Sequence, residues 1–206
     1  MLSETNHLAC AAFLALSVSA GCSTKIDAKF RLVEGPVMVF VDDVHERLDW
    51  PAVRRYLWDD VTQELLRTGA AHRIVPLTTE DSLRQTLPDF SKRTCREIGE
   101  MAGADHVLWI EVQGFLADEM IVDSTNAAYF TVTVKVLDAR EKQDRRKVRV
   151  WPDTLEGHHV TASMTGAAVT SAKNKDAIAR VLTAKLAVEI ARLFHDYSVD
   201  SFGNPL

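Results

Sequence analysis

Apolar and polar positions alternate along this chain with several distinct periods, and each period predicts an element. The run Pro36-Val37-Met38-Val39-Phe40-Val41 is apolar throughout and rich in β-branched residues, which predicts a strand buried on both faces. It ends at Asp42-Asp43. From Pro51, Val53, Leu57, Val61 and Leu65 recur every four residues and mark one face of a helix. Pro51 suits its first position after Asp49-Trp50, and Gly69 its C-cap. A short strand is expected at Arg73–Leu77, a short helix at Asp81–Leu87 ended by Pro88, and a longer helix from Lys92 to Ala102 stopped by Gly103. Asp105–Phe115 reads as a long strand and Asp123–Ala127 as a turn. From Ala128 to Leu137, Phe130, Val132, Val134 and Val136 share one side of a half-buried antiparallel strand. Val148–Trp151 is a further strand cut by Pro152, and the Thr, Val and Ala content of His158–Val169 favours extended structure. A final helix from Asp176 to Tyr197 carries Ile178, Val181, Leu182, Leu186, Ile190, Leu193 and Phe194 along one stripe.

The order is β-α-β-α-β-β-β-α. It predicts an α/β (α+β) fold with a single mixed sheet and helices packed against it. Four regions are expected: a signal peptide at 1–21, a lipidated cysteine with a short tether at 22–35, one globular domain at 36–197, and a loose tail at 198–206. No internal repeat and no second domain are visible.

The first region changes the picture most. An apolar run from Leu8 to Val18 leads into Ser19-Ala20-Gly21-Cys22, the build of a bacterial lipoprotein signal peptide with Cys22 as the lipidated first residue of the mature chain. The run falls short of the roughly 20 apolar residues of a membrane span. Glu4 and His7 stand where Lys or Arg is usual, and Ser19 where an aliphatic residue is usual. Ser23 after the cysteine, in place of an inner-membrane Asp, points to the outer membrane facing the periplasm.

Charge adds little. The chain of 206 residues has a formal net charge of −5, and loss of residues 1–21 removes only Glu4 among charged groups. Nothing draws it generally to nucleic acid. The basic cluster from Arg140 to Arg149 is broken by Glu141 and Asp144 and reads as a solvated turn. Of three cysteines, Cys10 lies in the signal and Cys22 is the lipid site, so Cys95 stands alone and no intrachain disulfide is expected. Its helical spacing with Ile98 and Ala102 marks it as a small buried residue.

The phrase Arg96-Glu97-Ile98-Gly99-Glu100-Met101-Ala102-Gly103-Ala104-Asp105-His106-Val107-Leu108 resembles the helix-to-strand passage of the TolB amino-terminal domain, the curli secretion-channel lipoprotein and the lipoprotein activators of penicillin-binding proteins. Phe130–Asp138 resembles their hydrophobic strand ending in a valine-leucine-aspartate turn. The resemblance covers roughly Pro36 to Val150 and rests on short structural motifs. It implies the fold above and a role in envelope assembly. The strand pair around Asp123–Ala127 is joined by a few residues, which argues against the insertions from which the curli channel builds its barrel. A tether of about a dozen residues would reach at most about 45 Å, unlike the long stems of the activators.

The chemistry-bearing residues form no established motif. Asp42-Asp43 follows a strand, where ligands often bind, but acids there are also ordinary turn residues. His158-His159 is the best metal candidate, yet neighbours on a strand point to opposite faces. Ser163, Thr170 and Ser171 lack a nucleophile-elbow setting, and no phosphate-binding or dinucleotide loop occurs. Trp109 reads as core, while Tyr56, Trp58 and Trp151 form a candidate contact patch. The expectation is a lipid-anchored, non-catalytic protein that binds or helps assemble another envelope component, with no cofactor, metal, nucleic acid or small-molecule substrate. The alternative is a small periplasmic metal-dependent enzyme using His158, His159 and Asp42.

Overall fold

The apolar run at Val37 becomes the hinge of the architecture because its side chains feed two cores at once. In the computed structural model, residues 23–43, 45–48, 50–117, 127–165, 174–202 and 204 are described. Strand β1 (Thr24–Ile26) precedes β2 (Val37–Asp42), helices α1 (Pro51–Arg67), α2 (Leu77–Thr86) and α3 (Cys95–Met101), and strands β3 (His106–Leu116) and β4 (Ala127–Asp138). The one-turn helix α4 (Arg145–Val148), strands β5 (Arg149–Trp151) and β6 (His158–Thr165), helix α5 (Lys175–Ala191) and strand β7 (Tyr197–Val199) follow.

Five strands form a mixed sheet in the order β2-β3-β4, with β5 and β6 sharing the far side of β4. Only β2 and β3 run parallel. Helices α1 and α5 cover one face, where Val39, Ile110, Val134, Leu57 and Leu186 belong to one buried cluster. Met38, Phe40, Val107 and Leu137 point to the other face and pack with Phe90 and Ile98. The fold class is thus the expected one, a mixed sheet packed with helices. Gly99 lets α3 approach β3, since a Cβ there would meet Val107 Cγ2 at 2.1 Å. Gly69 and Gly103 take positive φ just past α1 and α3, the conformation that ends helices on glycine.

Several details differ from expectation. The strand at Arg73–Leu77 is a single parallel bridge from Ile74 to Val37, because Pro76 has no N–H for a ladder and Leu77 already starts α2. The helix from Lys92 is divided: a 3-10 turn spans Phe90–Lys92, and α3 begins at Cys95 behind a capping box of Thr94 and Glu97. The last helix stops at Ala191, not Tyr197, and Val181, expected in its buried stripe, is exposed because it lies one residue off the Ile178–Leu182–Leu186 face. Phe194 then folds inward, 2% exposed, and Tyr197–Val199 becomes a strand. The region read as tether and the start of the tail read as loose pair with each other. Thr24 faces Val199 and Ile26 faces Tyr197 in a separate two-stranded sheet, so the described residues form two sheets rather than one. The Asp196 carboxylate fastens this join, accepting from Ala28 N at 3.0 Å and from Arg31 Nη2 at 2.6 Å, with Lys25 Nζ at 2.9 Å. Charge and backbone satisfaction thus hold a segment too polar to read as an element.

Cys22 and the signal segment lie outside the described residues, as do most of the turn at 123–127 and the stretch 166–173 that includes Thr170 and Ser171. Among the described residues no helix is long and apolar enough to cross a membrane.

Candidate functional site

The C-terminal end of β2 opens into a cleft of about 1160 Å³ on the α2–α3 side of the sheet. Phe40, Trp109 and Leu137 are among the apolar residues lining it, and Arg54, Arg84 and Arg93 among the basic ones. Asp42 sits at its edge, where burial raises its carboxyl above the usual range although Trp109 Nε1 donates to it at 3.1 Å. Glu111 of β3 is paired with Lys135 of β4 at 3.2 Å, and that ammonium lies 4.5 Å from the centre of the Trp109 ring. Glu80, 1% exposed, binds Arg54 and Arg84 through one oxygen, while its Oε2 has no partner. Cys95 also lines the cleft. Burial pushes its thiol up to about 12, so it is protonated at neutral pH and a poor nucleophile.

The metal alternative is not assembled. Register places Asp42, Glu111, Thr133 and His159 in one row across four strands. Three strand spacings of about 4.8 Å put Asp42 roughly 14 Å from His159. His158, next along the strand, stacks 5.4 Å from Trp151 and lies 3.4 Å from Lys29 Nζ, while His159 is exposed. Burial, with the Lys29 charge second, lowers the His158 pKa. Among the described residues no three His, Cys, Asp or Glu groups are placed to share an ion.

The aromatic patch is likewise dispersed. Tyr56 joins α1 to the start of α5: its hydroxyl donates to Asp176 Oδ1 at 2.9 Å, and the Arg180 guanidinium lies 3.9 Å from its ring centre. Trp58, two residues on and so on another side of the helix, donates from Nε1 to the Val39 carbonyl at 3.1 Å. Trp151 lies across the sheet from it, packed on Phe194 at 5.6 Å and Phe30 at 6.3 Å. Each tryptophan is partly buried against the main core. Trp109, expected in the core, is also only partly buried and packs on the second cluster.

A second groove, of about 660 Å³, was not foreseen. It follows β6 from His158 to Ser163, with α5 on one wall through Lys185 and Arg192, and Ile26 and Lys29 on another. The Ser163 carbonyl accepts from Lys185 Nζ at 3.1 Å. The alternation Thr161, Ser163, Thr165 was the available signal: these side chains are exposed while Val160, Ala162 and Met164 are buried.

No protein-family model matches the chain, and no curated protein is similar to it at a significant level. Solved structures with a related course exist. The hypothetical protein CT253 of Chlamydia trachomatis shares 16% identity over 77% of this chain and 94% of its own, with a TM-score of 0.44. Lipoprotein GNA1162 of Neisseria meningitidis shares 14% over 76% and 97%, with a TM-score of 0.41. PelC of Paraburkholderia phytofirmans, solved as a dodecamer, shares 15% over 85% and 98%, with a TM-score of 0.39. Chains this distant need not share a site or an activity.

Proposed function

We propose that this chain is a lipid-anchored, non-catalytic protein of the bacterial cell envelope, held by Cys22 in the outer membrane facing the periplasm, where it binds or helps assemble another envelope protein. One observation carries the reading: the chain enters its folded body at once. Thr24 is already paired with Val199, and a residue two positions earlier can lie no more than about 7 Å away. An acylated Cys22 would therefore hold the domain against the bilayer, with the β1–β7 sheet nearest the lipid. The reach of about 45 Å expected of a free tether is replaced by close apposition. That position suits work on a neighbour in the same membrane. Of the chemical candidates, Asp42 is bonded to Trp109, and His158 lies against Trp151 and Lys29.

Membrane fractionation of Cys22→Ala tests the anchor. Release from the membrane, or an uncleaved precursor, is expected, because stable anchoring needs the acyl chains. A variant that fractionates and migrates like wild type would remove the anchor from the reading. Cross-linking capture from membranes tests the partner, and a repeated absence of any cross-linked protein would sink that half. Stoichiometric zinc or manganese in the purified protein, lost on changing His158 and His159, would restore the enzyme alternative.

A further inference from the structure

We infer that the groove along β6 receives an extended acidic segment of the partner protein, added to the sheet as a further strand. The inference rests on the binding reading above and names the kind of partner. A strand edge is the first support. Strand β6 pairs with β4 on one side and with no strand on the other among the described residues. The Lys185 ammonium on the Ser163 carbonyl marks that carbonyl as outward. The two-residue repeat of an antiparallel strand turns the backbone of His159 and Thr161 the same way. Exposed N–H and C=O groups in a row are a template for an incoming strand, and main-chain bonds then supply affinity without a fixed sequence.

Charge is the second support, and it selects the occupant. The acids of the groove are already paired, Asp27 with Lys25 and Glu189 with Arg192. Its two lysines have no carboxylate among the described residues: Lys29 meets only the His158 ring, and Lys185 only the Ser163 carbonyl. They stand near opposite ends of the His158–Ser163 run, which spans roughly 17 Å at about 3.4 Å per residue. An extended segment sends side chains i and i+4 to the same side, about 14 Å apart. The fitting occupant is therefore a strand with two carboxylates four residues apart, one for each lysine.

The test titrates the full mature protein with two blocked decapeptides of alternating valine and threonine. One carries glutamate at positions four and eight, the other lysine. Amide shifts at His159, Thr161 and Ser163 are expected with the glutamate peptide. The lysine peptide should bind roughly threefold to tenfold more weakly, the size expected of two exposed charge pairs. Lys29→Glu with Lys185→Glu should reverse the preference, and these exposed changes leave the core untouched. Thr161→Pro should abolish the shifts, because its outward N–H is the one an incoming strand needs. Equal binding of both peptides, a preference unmoved by charge reversal, or shifts elsewhere only would overturn the inference. So would a dimer of the wild-type chain that Thr161→Pro dissociates, since a second copy would then own the edge. Capture of a partner from membranes that persists unchanged in both variants would also overturn it while leaving the binding reading standing.

Discussion

The two edges of the five-stranded sheet are finished in opposite ways. At β2 the outward carbonyls of Val37, Val39 and Val41 each have a donor: Val75 N at 2.9 Å, Trp58 Nε1 at 3.1 Å and Arg54 Nε at 3.1 Å. Arg54 is in turn held by the buried Glu80. At β6, among the described residues, Lys185 alone bonds an outward carbonyl, that of Ser163, and the His158–Ser163 run faces a groove. The side chains explain the difference. Residues 37–41 are buried on both faces, so water cannot reach the β2 backbone, and every polar group there needs a protein partner. Strand β6 buries one face only, so water serves its edge until something better arrives. A closed edge here serves stability, and the open one is where the proposed partner strand would dock.

The comparison can be broken by experiment, starting beneath both edges. Leu186, fully buried on α5, packs in the cluster that underlies β2 and β6 alike. Leu186→Ala should lower unfolding free energy by about 2–5 kcal/mol, and denaturant melts that move by only a few tenths would place α5 outside the core. At the closed edge, Trp58→Phe keeps most of the ring but leaves the Val39 carbonyl without its donor. A loss of about 1–3 kcal/mol is expected for an unsatisfied buried acceptor. A melt indistinguishable from wild type would mean that water reaches this edge after all.

The segment 28–33, whose Lys29 lines the groove at the open edge, should respond to pH. His106, 5% exposed, accepts from Val33 N at 3.4 Å through Nδ1, which only the neutral ring can do. Burial lowers its pKa in the folded state. Its contribution is therefore whole above the unfolded value of about 6.5 and declines as pH falls below it, because the unfolded chain takes the proton more readily. Asp196 is held well below the usual carboxylate range, chiefly by the Ala28 N–H and then by Lys25 and Arg31. Its contribution is present above an unfolded value of about 3.9 and is lost only as pH falls further. Amide protection across residues 28–33, taken relative to the intrinsic exchange rate at each pH, should fall first near pH 6, then again below about pH 4. Protection that stays flat from neutrality down to about pH 5 would detach His106 from this segment. The smallest effect is expected at the open edge itself. Thr161→Ala removes the exposed hydroxyl pair with Thr131 and should cost no more than about 1 kcal/mol, and a larger loss in thermal melts would mean that this face of β6 is covered.

The sequence by itself determined the elements whose hydrophobic period is strong. Val53, Leu57, Val61 and Leu65 are each 0% exposed, as their spacing required, and so are Phe130, Val132, Val134 and Val136. Burial of an apolar stripe is a local property repeated often enough to be read without knowing what covers it. The capping box at Thr94 and Glu97 was equally legible as a Thr-x-x-Glu phrase, although it went unread. What only the tertiary structure decided are pairings between distant residues. Thr24 meets Val199, Ala28 meets Asp196, Trp58 caps Val39, and Lys185 reaches Ser163. None of these has a period, because a hydrogen bond or ion pair depends on where two segments meet rather than on spacing within either one. The candidate groove joins one periodic wall, the alternating strand β6, to walls that only such meetings bring beside it. Tyr56, Trp58 and Trp151 have separate internal contacts for the same reason: residue type suggests what a side chain can bind, and only the sheet order decides which side chains stand together.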